Sequence, residues 1–153
     1  GRVVVYDCWR MRESTPTTHA AVHRKKGKWI PVAWPKDGMQ TEKGSGRALK
    51  KVYEDEGMPL LHEWAQDAEG GVSVEAGIME MLDAMREGRF HVFSTLQDWW
   101  QEYRVYHRKD GQIVKVLDDV LSAVRYAVMM KRMARQLVRA NRPAFAATGP
   151  VLD

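Results

Sequence analysis

Cysteine is almost missing: Cys8 is the single one in 153 residues. That excludes a disulfide framework and any zinc site built on cysteine pairs, and one free thiol fits a reducing compartment. Long apolar runs are missing too. None approaches the roughly 20 residues that span a bilayer. The opening GRVVVYDCWRMRE has too short an apolar part, and no cleavage-type ending, for a secretory signal. No internal repeat and no phosphate-loop glycine pattern occurs. No Ser/His/Asp order or Cys/His pair for nucleophilic catalysis can be assembled, and Cys8 reads as core.

What remains suits one α/β domain. Hydrophobic residues make up 44% and charged residues 29%, enough for a packed core and against wholesale disorder. The net charge of +4 favours a polyanionic partner, although many soluble domains are as basic.

Strand-like and helix-like stretches alternate along the chain. Val3 to Met11 reads as a strand. Ser14-Thr15-Pro16 reads as the start of a helix that runs to about Lys26 and ends at Gly27. Ile30 to Trp34 is a short buried strand, followed by a polar loop from Gly38 to Gly46. Arg47 to Asp55 is a helix stopped at Gly57, and Leu60 to His62 a possible third strand. Ser73 caps a helix to about Glu87, with Ile78, Met81, Leu82 and Met85 on one face. Phe90 to Phe93 is a strand and Leu96 to about Arg104 a helix. The stretch YHRKDGQIVKV is a hairpin turning at Asp110-Gly111. Asp118 opens the longest helix, to about Arg139, with Leu117, Leu121, Val124 and Val128 as its buried stripe. Asn141 to Asp153 reads as a loose tail. Such alternation predicts a largely parallel or mixed sheet flanked by helices.

In α/β sheets, sites gather beyond the carboxyl ends of strands. Asp37 stands just past such an end in PVAWPKDG, and Asp118 and Asp119 open the final helix. If the three converge, their oxygens suit Mg²⁺ or Mn²⁺. Each also has an ordinary explanation. Asp-Gly is turn chemistry, Asp118 is a natural helix cap, and Asp119 complements the helix dipole. His19 and His23 are spaced to share a metal but lack a matching carboxylate, so they read as surface residues. Gly44-Ser45-Gly46 is an anion-site candidate or a plain loop. Trp99 and Trp100 either stack on bases or pack in the core. His107, Arg108 and Lys109 at the hairpin either touch phosphates or form a solvated turn. Arg125, Lys131, Arg132, Arg135 and Arg139 read mostly as the wet face of the last helix.

Five stretches, in order, resemble one known family: IPVAWPKDG, EKGSG, GGVSVEAGIMEMLDAMREGRFHVFST, EYRVYHRKDGQIVK and DDVLSAVRYAVMMKRMA. They are similar to the C-terminal nuclease domain of terminase large subunits, most of all in P22-like, headful-packaging tailed phages. The resemblance implies an RNase H-like mixed sheet flanked by helices over residues 1–140, with 141–153 as a flexible tail. It implies a Mg²⁺- or Mn²⁺-dependent endonuclease, with two ions, that cuts concatemeric double-stranded DNA. Asp37 matches the family's middle acidic position, and Asp118 and Asp119 its final acidic pair. Lys36, His107, Arg108, Lys109 and Lys115 are the residues expected to contact DNA. The family's first acidic strand has no match, so a domain lacking the first strand is expected; Asp7 does not match that position. The implied partners are the terminase ATPase domain, the small terminase subunit and the portal protein, in the host cytoplasm, with no membrane. A rival expectation is a non-catalytic DNA- or portal-docking module on the same fold.

Overall fold

A computed structural model describes residues 1–41 and 43–135. The expected tail from 141, and Arg139, lie outside the described residues.

The first strand, β1 (Val3–Val5), is three residues long, not nine. Its partner sets that length. β2 (Phe90–Val92) runs parallel to it, with Val3 opposite Phe90 and Val5 opposite Val92. β2 is closed on one side by the turn at Gly88 and on the other by a turn in which Leu96 N–H donates to the Phe93 carbonyl at 3.1 Å.

Helix α1 (Pro16–Gly27) starts where proline predicts, and Thr15 supplies the cap by accepting from Thr18 N–H at 3.2 Å. The stretch from Ile30 to Trp34 does not extend into a strand. It makes a single parallel bridge, Val32 to Leu60, with Leu61 N–H on the Val32 carbonyl at 2.9 Å. A 3-10 turn follows at Lys36–Met39, then α2 (Leu49–Asp55).

Ser73 caps α3 (Val74–Arg86) as its sequence predicts. α4 (Gln97–Val105) leads into the hairpin of β3 (Arg108–Lys109) and β4 (Gln112–Ile113). Its two turn residues, Asp110 and Gly111, both have positive φ, at 50° and 76°. This is the primed turn that Asp-Gly favours, since glycine adopts it at no steric cost.

α5 (Asp119–Met129) ends ten residues before the predicted Arg139. A 3-10 turn, Lys131–Met133, replaces it and Ala134 is extended. The Arg132 guanidinium takes over the carbonyls there, donating to Met129 O at 2.8 Å and to Gln66 O at 3.0 Å.

Two apolar clusters organise the molecule. In the larger, α3 and α4 pack on α5 beside β1 and β2, around Met81, Phe90, Trp99, Leu121 and Val128. The smaller joins Trp34, Leu61, Ala65 and Met130. Trp99 is almost wholly buried, stacked on Tyr103 at 4.9 Å, so this tryptophan is core. Arg125, read as wet face, is buried instead, with its guanidinium 4.6 Å from the Tyr126 ring centre. Among the described residues no helix is long and apolar enough to cross a membrane.

Candidate active site

Pro35 ends the bridged segment and starts the turn that carries Asp37. Gly38 N–H donates back to the Pro35 carbonyl, and Gln40 N–H to that of Asp37, both at 2.9 Å. Asp37 is exposed at the mouth of an open cavity of about 350 Å³, lined by Trp34, Lys50, Tyr53, His19 and Leu60 among others. Lys36 is exposed, its ammonium 5.6 Å from the Trp64 ring. Lys50 sits over Trp34 at 5.2 Å. Burial pushes the Tyr53 phenol above its ordinary pKa, so it stays a hydrogen-bond donor beside Asp37's cavity.

The two histidines of α1 are half-buried rather than at the surface. His19 packs edge-on between Trp9 (4.9 Å) and Tyr53 (6.0 Å), and His23 Nε2 pairs with the Ile30 carbonyl at 2.9 Å. Packing and backbone bonding occupy them. The loop at Gly44-Ser45-Gly46 is exposed and precedes α2 by three residues, so it does not open that helix.

Asp118 and Asp119 lie at the start of α5, Asp118 half-buried and Asp119 exposed. Asp118 occupies the cap position yet makes no capping bond; its Oδ2 accepts from Ser122 Oγ at 3.2 Å. The preceding Leu117 has φ of 50°, a strained value for a residue with a side chain.

The capping group comes from α4. Glu102 is completely buried. Its Oε2 accepts from Leu121 N–H at 2.9 Å and its Oε1 from Arg10 Nη1 at 2.8 Å. Sequence reading missed Glu102. The signal was available: it lies three residues after Trp99, on the apolar face of an amphipathic helix, where an unpaired carboxylate would be costly.

Asp37 lies on the 3-10 turn after Pro35, and Asp118 and Asp119 lie at the start of α5. Among the described residues no group of three or more His, Cys, Asp or Glu side chains is placed to hold a metal ion. Asp37 faces the cavity on its own turn, while Asp118 is tied back to Ser122. The donors still fit in kind. Mg²⁺ is commonly held by one or two carboxylates, with water and phosphate oxygens completing the shell, and the Asp118–Asp119 pair offers that number.

The basic hairpin is partly engaged already. Arg108 clasps Glu75, at the start of α3, with Nη1 to Oε1 at 2.8 Å. That contact holds the Glu75 carboxyl below the usual carboxylate range. His107 Nδ1 meets the Val105 carbonyl at 2.7 Å, while Lys109 and Lys115 are exposed.

The model of the terminase RNase H-like domain matches residues 1–131. The chain belongs to this family. The terminase large subunit of Salmonella phage P22 is 46% identical over 136 residues, 88% of this chain and 27% of that protein. The large subunit of Enterobacteria phage LP7 is 47% identical over 124 residues, 80% of this chain and 26% of that one. The chain thus spans about a quarter of the length of these relatives. A solved structure of the P22 large terminase nuclease domain superposes with a TM-score of 0.77 at 47% identity, covering 85% of this chain and 69% of that one. The fold of this terminase-family domain is therefore RNase H-like, with its helices in place and its strands short.

Proposed function

We propose that this chain is a metal-dependent endonuclease domain of a phage DNA-packaging terminase, cutting concatemeric double-stranded DNA in the host cytoplasm. The observation that carries the reading is the likeness, at 47% identity, to the P22 large terminase nuclease domain. Asp118 and Asp119 are the residues that would hold Mg²⁺ or Mn²⁺, and Asp37, on its own turn, is the third proposed carboxylate. Two such ions, when bound, supply an activated water and charge neutralisation at the leaving oxygen. Lys36, Lys109 and Lys115 are exposed for phosphate contacts, with His107 and Arg108 beside them on the hairpin. The ATPase domain, small subunit and portal are the proposed partners.

A second reading, a docking module without catalysis, draws support from the absence of a three-carboxylate cluster among the described residues. Mn²⁺ titration with thermal unfolding separates the two. At Mn²⁺ a hundredfold above Kd the stability gain is about 2.7 kcal/mol. We expect that gain, together with plasmid nicking, and expect Asp119→Asn and Asp37→Asn to reduce both. Neither a metal-dependent gain nor nicking would leave the docking module.

A further inference from the structure

We propose that Glu102 is the positioning residue for the acidic pair that opens α5; the proposal rests on reading Asp118 and Asp119 as metal ligands. An aspartate at a helix cap ordinarily accepts from an amide of the first turn. Asp118 does not, and the Leu121 amide is taken by Glu102 from a different helix. Capping has thus been moved off the aspartate. Neither Asp118 nor Asp119 has a capping duty, although both sit where the helix dipole favours negative charge.

Burial shields the hold on α5 from solvent. Glu102 is fully buried, so its two bonds are the only compensation the described structure gives for desolvating a carboxylate. Arg10, which neutralises it, comes from the segment after β1 and reaches Asp98 as well, at 3.4 Å. One carboxylate therefore ties three parts of the chain together at the first turn of α5: the residues after β1, helix α4, and the amide two residues beyond Asp119. Leu117, next to the pair on the other side, is strained at φ 50°. A ligand pair presented by a helix start is only as well placed as that start. Groups that orient metal ligands typically change affinity 10–100-fold when removed.

The test compares two variants of the full chain. Glu102→Met, combined with Arg10→Met so that no buried cation is stranded, keeps the volume and deletes the acceptor. Glu102→Gln keeps an oxygen for Leu121 N–H. Mn²⁺ affinity is read by calorimetric titration below the onset of unfolding, and amide exchange is read at Leu121. We expect the methionine pair to weaken Mn²⁺ binding about 10-fold or more and to speed exchange at Leu121, while glutamine stays within about threefold of wild type. A purely structural role would lower the melting temperature and leave the affinity of the folded protein unchanged, which overturns the proposal. If the methionine pair does not fold, Glu102→Asp, one methylene shorter, takes its place, and wild-type affinity there also overturns it. Binding abolished by Asp119→Asn but indifferent to Glu102 sinks this proposal alone. Binding that Asp119→Asn leaves intact sinks the metal reading and this proposal with it.

Discussion

Gly38 shows how a residue can be legible in place but not in cause. The Asp-Gly pair after Pro35 marks a turn in the sequence, and the natural reading is that glycine lets the backbone swing away. Its φ is not in the left-handed region, and the constraint is instead steric. A Cβ on Gly38 would sit 2.7 Å from Cε3 of Trp34, inside any tolerable contact. Trp34 cannot yield readily, because it is buried and its indole N–H donates to the Leu61 carbonyl at 2.6 Å. No one-dimensional pattern shows that a ring four residues back folds over its own turn. Gly38→Ala is therefore expected to cost about 1–3 kcal/mol, as overpacking does, read as a lower urea midpoint. Gly44→Ala is the control: a Cβ there meets nothing within 4 Å, so a change beyond about 0.5 kcal/mol would argue against the steric account.

At the scale of elements, local signals carried far. The Ser73 cap and apolar spacing placed α3, and Asp110-Gly111 placed the hairpin, because both are set by chemistry within a few residues. Elements whose ends depend on distant partners were not legible. β1 is cut to the length of β2, and α5 stops where Arg132 can cap it against Gln66, 66 residues away. The same distinction holds for the basic hairpin. Its charge is written in the sequence, but the Glu75 that engages Arg108 comes from α3. A phosphate must compete with that carboxylate, and acid will not readily displace it: with its pKa lowered, Glu75 stays charged at neutral pH, and the ion pair fades only as pH falls through that lowered value. Glu75→Gln frees Arg108. Under the nuclease reading we expect DNA affinity to rise at low salt and the slope of log K against log salt to steepen by about 0.9, one more phosphate contact. An unchanged slope in filter binding across salt concentrations would mean that Arg108 does not face the DNA.

Over the whole molecule, composition foretold a packed α/β domain but not which polar groups the packing would capture. The two clusters each hold ionisable groups at their margins. Cys8 and Tyr106 lie against the larger cluster, and Tyr53 lines the cavity beside Trp34 of the smaller. Burial is the leading cause that raises all three above their ordinary values; a backbone hydrogen bond near Trp99 partly offsets it for Cys8, and the Arg125 charge does so for Tyr106. The sign follows from linkage. In the folded protein these groups hold their protons at pH values where the unfolded chain has released them, so rising pH favours unfolding. Their contribution is complete below the unfolded values, about 8.5 for a thiol and about 10 for a phenol, and is lost as pH climbs through the raised ones. The melting temperature should therefore fall through this alkaline range. Cys8→Ala should flatten the lower part of the decline, and Tyr53→Phe with Tyr106→Phe the upper part, because neither replacement can ionise. A decline with the same slope in all three proteins would assign it to the loss of lysine ion pairs such as Lys50–Glu54, and not to the buried margins of the two cores.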